Sequence, residues 1–166
     1  MKKRDFDIAF RGLALGPHEF RFELNDTFFT FFEYSEYRGL SGIAELNLLK
    51  SETVLDLEWQ FTGNIEAHCD VTNELYTQTL NNSFAMQIKF GDEYNDENEE
   101  LLILPHGNYQ FNAGQMIYEL VVLSIPSKLL GPNAGNGIED FIEEEEDEIE
   151  EKTDPRWDQL KNLLNK

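Results

Sequence analysis

The chain has 166 residues, 40% of them hydrophobic and 13% aromatic, which is enough apolar material to build the core of one ordinary domain. Its formal charge of −20, from 33 acidic against 13 basic residues, excludes a protein that coats nucleic acid with its whole surface, because such binding depends on Lys and Arg neutralising phosphates. The start, Met1-Lys2-Lys3-Arg4-Asp5, leads into no apolar signal core, no apolar run is long enough for a membrane span, and the single cysteine, Cys69, leaves no internal disulfide, so a cytoplasmic protein is expected.

Residues 5–11 alternate polar and apolar and predict a first strand with Phe6, Ile8 and Phe10 on its buried face. A second strand is expected over 18–24. Asn25-Asp26 then offers a cap for a short helix over the Phe-rich piece 27–34. Residues 42–50 and 53–61 read as two more strands joined by Ser51-Glu52, the short linker of an antiparallel hairpin. In the second of them Leu55, Leu57, Trp59 and Phe61 face one way and Asp56, Glu58 and Gln60 the other, and the strand is expected to bend at Gly63 and continue to Cys69.

The stretch 63–91 then reads as the central hairpin. Ile65 and Ala67 precede the knuckle, and Tyr76, Leu80, Phe84, Met86, Ile88 and Phe90 follow it largely at every second position. Between them, the dense run Cys69-Asp70-Val71-Thr72-Asn73-Glu74 favours a tight turn, since short Asp, Thr and Asn side chains hydrogen-bond the local backbone. Residues 91–100 are expected to form a solvated acidic loop, 101–104 a short buried strand and 105–108 a turn. Asn112 is placed to cap a helix bearing Met116, Ile117, Leu120, Val121 and Leu123 on its apolar side, ended by Pro126.

Residues 130–137 hold three Gly, one Pro and two Asn and read as an exposed linker. An acidic run follows, punctuated by Phe141, Ile142 and Ile149. Asp154 and Pro155 then start a last helix whose Trp157, Leu160, Leu163 and Leu164 make an apolar stripe. The expected organisation is an α+β domain over 1–130, a linker and acidic tail over 131–153, and an amphipathic helix over 154–166. The domain should be a curved antiparallel sheet of about six strands with one covering helix.

Several of these pieces, in this order, resemble the bacterial YceD family, the large ribosomal RNA subunit accumulation proteins. They are Gly63, Ile65, Ala67 and Cys69 leading into the knuckle, an acidic stretch after the hairpin, the run from Ile117 through Glu119, Leu123 and Pro126, and Asp154-Pro155-Arg156-Trp157-Asp158-Gln159-Leu160. The likeness covers roughly residues 55–166. Where the family has a C-x-x-C pair, this chain keeps Cys69 but has Thr72 in place of the second cysteine. The resemblance implies a role in synthesis, processing or stability of 23S ribosomal RNA.

The charge is unevenly placed. Residues 1–50 hold seven basic against eight acidic side chains, whereas 92–100 holds six acids and 139–151 ten, with no base in either run. Candidates for local RNA contact are therefore Lys2, Lys3, Arg4, Arg11, Arg21 and Arg38, interleaved with Phe20, Phe22, Tyr34 and Tyr37, which either stack on unpaired bases or simply belong to the core. Candidates for holding a basic protein are Phe141, Ile142, Glu143, Glu144, Glu145, Glu146 and Ile149, with Asp154, Pro155, Arg156, Trp157 and Leu160; the same run also reads as a solubilising extension.

Cys69 with only His68 and His106 falls short of the four ligands of structural zinc, and Glu66, Asp70 and Glu74 beside it disfavour a reactive thiolate. No phosphate-cradling Gly loop or nucleophile elbow is present. The expectation is a non-enzymatic factor without cofactor, membrane or small-molecule substrate, whose partner is a basic ribosomal protein or a large-subunit precursor particle, with local rRNA contact. The competing reading is an acidic adaptor on another nucleic-acid machine, such as the transcription apparatus.

Overall fold

In the computed structural model, which describes residues 2–98 and 100–135, the chain opens with a 3-10 turn, Lys3–Phe6, that runs into a two-residue strand, β1 (Asp7–Ile8). The continuous strand expected over 5–11 is thus not formed, although its apolar face is buried as expected at Phe6, Ile8 and Phe10. The cause is local. The Asp5 carboxylate accepts the Lys2 N–H at 2.7 Å and the Asp5 N–H donates to the Lys2 carbonyl at 2.9 Å, closing a turn where the alternation alone called for extension.

Strand β2 (Gly16–Asn25) leads directly into helix α1 (Asp26–Phe31), which begins where Asn25 Oδ1 accepts the Thr27 N–H at 2.9 Å. Then come β3 (Arg38–Lys50), β4 (Val54–His68) and β5 (Leu75–Gly91), each antiparallel to the one before. After β5 the chain makes an exposed edge strand, β6 (Asn95–Asn98), and returns as β7 (Leu101–Pro105) between β5 and β6, so the sheet order is β2-β3-β4-β5-β7-β6. Two corrections follow. The acidic stretch contributes a strand as well as a loop, and the β5–β7 pair is parallel within an otherwise antiparallel sheet. The reason lies in polarity: Leu102 and Leu104 bury themselves by taking the interior place, leaving the charged 95–98 at the edge, where side chains stay in water and discourage further strand pairing.

A short strand β8 (Phe111–Asn112) pairs with β1, and helix α2 (Gly114–Val122) follows. Asn112 Oδ1 accepts the Gly114 N–H at 3.1 Å, but the helix ends at Val122, well before Pro126. Leu123, expected on the apolar side, is 76% exposed, because the helix closes one residue short of it and its last carbonyls turn to other donors: Asn82 Nδ2 reaches the Leu120 carbonyl at 3.2 Å and Ser124 Oγ that of Val121. Two helices rather than one therefore cover the sheet, α1 lying against β2 and β3 and α2 against β4 and β5.

One sheet face is apolar and the other polar, as the strict alternation in β2 to β5 requires. The covered face carries Leu46, Leu48, Leu55, Leu57, Trp59, Phe61, Ile65, Leu80 and Ile88, all fully buried, each contributing roughly 1.5–3 kcal/mol by leaving water. Trp59 packs against Phe22 and Phe84, with ring centroids 6.2 and 6.3 Å away, and among the described residues its buried indole N–H has no acceptor. That orphan donor costs on the order of 1–3 kcal/mol, which the burial of so large a ring offsets. The chain divides into two compact units, 1–131 and 132–166, and of the second only 132–135 are described, with a turn at Pro132 and Asn133. Among the described residues no helix is long and apolar enough to cross a membrane.

Gly63 stands opposite Gly42 in the β3–β4 register, and the ring of Phe61 lies over the pair. A Cβ at Gly63 would come within 2.8 Å of both that ring and the Ser41 carbonyl and 2.9 Å of the Gly42 Cα. Gly63→Ala is expected to lower stability by about 1–3 kcal/mol, the ordinary range for overpacking. Urea unfolding followed by Trp59 fluorescence measures the loss, and an unchanged midpoint would refute the close approach.

Candidate interaction sites

The β4–β5 hairpin ends in the knuckle read from the sequence. The Cys69 N–H donates to the Glu74 carbonyl at 2.9 Å, and the Asn73 N–H to the Cys69 carbonyl at 2.8 Å. Asn73 adopts φ 56°, a left-handed conformation that Asn tolerates better than most residues. His68 turns its Nδ1 to the Asn73 carbonyl at 3.1 Å. Cys69 is 2% exposed, yet its thiol is lowered to about 7 from an ordinary 9.0, first by the Thr72 hydroxyl and then by the N–H groups of Thr72, Gly131 and Val71 around the sulfur. Thr72 holds the position of the missing second cysteine, and its hydroxyl accepts the Glu74 N–H at 3.4 Å.

A second strand of chain locks onto this turn. The Asp70 N–H donates to the Leu129 carbonyl at 2.8 Å, and the Leu129 N–H returns a 2.7 Å bond to Asp70 Oδ2. Leu129 is buried, and Gly131 approaches Cys69 and the Tyr76 ring so closely that a Cβ there would sit 3.3 Å from both. Tyr37 and Tyr76 have phenols raised first by burial and then by neighbouring negative charge, from Glu36 and then Asp70 at Tyr37 and from Cys69 and then Asp70 at Tyr76. This latch was not legible in the sequence, because nothing local connects residue 70 with residue 129.

The six basic candidates are all exposed, and the fold scatters them. Lys2, Lys3 and Arg4 lie on the N-terminal turn. Arg21 is on the open face of β2, 3.9 Å from Glu45, and Arg38 stands opposite Glu66 where β3 begins. Phe20, Phe22, Tyr34 and Tyr37 are partly buried and pack against the core. Arg11 lies in the loop between β1 and β2. It borders a cleft of about 350 Å³ at the end of the sheet opposite the knuckle, with Lys50 and His106, and Glu52 is the one carboxylate in its lining. Lys50 and His106 were missed as RNA-contact candidates, although the Lys50-Ser51 hairpin turn and the His106 turn were both visible as turns.

The open face of the sheet is negative. Register and alternation place Glu19 and Glu23 of β2, Glu45 of β3, and Asp56, Glu58 and Glu66 of β4 on it, against Arg21, Arg38 and Lys89. Phe141, Ile142, Glu143, Glu144, Glu145, Glu146, Ile149, Asp154, Pro155, Arg156, Trp157 and Leu160 lie outside the described residues. Among the described residues no group of three or more His, Cys, Asp or Glu gathers to hold a metal ion.

A family model described as large ribosomal RNA subunit accumulation protein YceD matches residues 57–164, about two thirds of the chain, and the chain belongs to that family. The match takes in the knuckle, α2 and the C-terminal Asp-Pro-Arg segment. Searches among curated proteins and among solved structures return no match.

Removing the latch carboxylate, Asp70→Ala, is expected to cost about 1–2 kcal/mol, at the lower end for a bond to a charged acceptor because the site is partly open to water. Hydrogen exchange at the Leu129 N–H and tryptic cleavage after Lys128 should both accelerate, and unchanged protection would disprove the latch. Thr72→Val should move the thiol's titration up from about 7, read by ultraviolet thiolate absorbance. Because the folded thiol ionises below the unfolded one, it adds stability above the unfolded value of 9.0 and loses it as pH falls through about 7; the variant should flatten that slope.

Proposed function

We propose that this YceD-family chain supports the accumulation of large-subunit ribosomal RNA as a binding protein without an enzymatic reaction, by engaging a basic ribosomal protein while touching rRNA only locally. The observation that carries the reading is the electrostatic division of the folded body. Its broad open sheet face bears six carboxylates against three cations, one of which is already held by Glu45. A phosphate backbone is repelled from such a face, and a lysine- and arginine-rich protein is drawn to it. The acidic run 139–151, with Phe141, Ile142 and Ile149 among its carboxylates and Trp157 and Leu160 after it, adds negative charge and apolar residues to the same attraction, as read from the sequence.

The role is that of a chaperone-like companion in 23S rRNA synthesis, processing or stability. A basic ribosomal protein shielded by carboxylates until it reaches its RNA site would be protected from non-specific binding, and high salt would weaken the association because exposed charges are screened beyond about 8–10 Å.

Affinity purification with the full chain at moderate salt should recover a basic large-subunit protein or a precursor particle. The double charge reversal Glu45→Lys/Glu58→Lys should lower that recovery several-fold while leaving the fold intact. Deleting 138–166 separates the two functional readings: continued association with large-subunit precursors supports the ribosomal role. Loss of every partner with the body still folded supports an adaptor on another machine. Recovery of neither ribosomal protein nor precursor by the full chain would end the proposal.

A further inference from the structure

Resting on that reading, we infer that the cleft bounded by Arg11, Lys50 and His106 is the place of local RNA contact, and that it takes one unpaired nucleotide of a single strand with its phosphate. The cleft is built from parts far apart in sequence and tied together. Lys50 Nζ donates to the Phe10 carbonyl at 2.9 Å and to the Leu13 carbonyl at 2.7 Å, pinning the 10–13 loop onto the end of β3. The Arg11 N–H donates to the Tyr109 carbonyl at 3.2 Å, which joins that loop to the 105–109 turn, and the His106 N–H donates to the Gly91 carbonyl at 3.1 Å, which joins the turn to the end of β5.

Within this frame the Arg11 guanidinium is exposed and makes no hydrogen bond or ion pair among the described residues, in contrast to Arg21 beside Glu45. A guanidinium held by its backbone with all its donors free is suited to the paired oxygens of a phosphate. Lys50 spends two of its three N–H donors on the loop, so it adds fixed positive charge and orders Arg11 more than it binds. The hydroxyls of Ser51 and Thr53 lie on the β3–β4 side of the same cleft. Phe90, half-buried and 5.4 Å from the Phe10 ring centroid, supplies an apolar wall against which a base can rest.

Size and charge agree on the ligand. A volume of about 350 Å³ accommodates a small ligand such as one nucleotide and is too small for a folded RNA element. The competing carboxylates are Glu52 in the lining and Asp92 and Glu93 beyond Gly91, so affinity must come from short-range hydrogen bonds and be lost at high salt. The smaller cleft beside Arg38 offers no equivalent, since Glu66 stands opposite that arginine and Asp26 there is committed to the Leu40 N–H at 2.8 Å.

The test is fluorescence anisotropy of the full-length protein with a labelled single-stranded oligouridylate at low salt, repeated with Arg11→Glu and Arg21→Glu. Arg11→Glu should weaken binding about tenfold or more, and Arg21→Glu by less than about twofold. Near-ultraviolet circular dichroism should be unchanged for both. A salt dependence equivalent to about one or two phosphates, a logarithmic slope near −0.7 to −1.4, is expected for one strand held at one cleft. Absence of saturable binding, or equal losses for the two variants, overturns the assignment. If oligomer binding fails while precursor particles are still recovered equally by wild type and Arg11→Glu, the cleft is wrong and the ribosomal role stands.

Discussion

The pairing of β4 with β5 along all 15 residues of β4 is the constraint on which the other elements depend. A register this long has no tolerance for slippage, because a shift by one residue would turn Leu55, Leu57, Trp59, Phe61 and Ile65 into water and bring Asp56, Glu58 and Gln60 under the helices. The other strands of the six-stranded sheet are added to one side or the other of this ribbon, β1 and β8 pair with each other apart from it, and both helices close over the face it presents. The two candidate sites are its two ends. At about 3.3 Å per residue, the knuckle and the Arg11 cleft are separated by on the order of 45–50 Å of strand.

Such separation lets charge be divided. The open face carries rows of carboxylates, whereas the cleft end gathers Arg11, Lys50 and His106 within a small volume. On the reading proposed above, this division is what would let a protein of charge −20 meet an rRNA–protein particle without wrapping its RNA. The exposed Arg21–Glu45 pair adds little stability, since exposed ion pairs are worth about 0–1 kcal/mol; its consequence is to take Arg21 out of the set of free cations.

The knuckle is a different kind of device. Cys69 is buried, surrounded by donors and closed over by the 129–131 segment, so its role is to anchor the turn. The Asp70–Leu129 bonds tie the residues after α2 back to the hairpin tip. The family motif is therefore preserved as a structural junction even with Thr72 in place of a cysteine.

Period-two alternation determined the four long strands, the buried face and the place of the tight turn, because one-sided burial leaves a strand no other pattern, and the Asn25 cap marked α1. Composition determined that any RNA contact had to be local. Tertiary structure decided the rest. Whether 95–98 became loop or edge strand depended on Leu102 and Leu104 competing for the interior place, and Leu123 was left in water because α2 stopped where Asn82 reached its end. Above all, the gathering of Arg11, Lys50 and His106 arose from hydrogen bonds across about forty to a hundred residues of sequence, and short-range pattern carries no trace of such long loop closures.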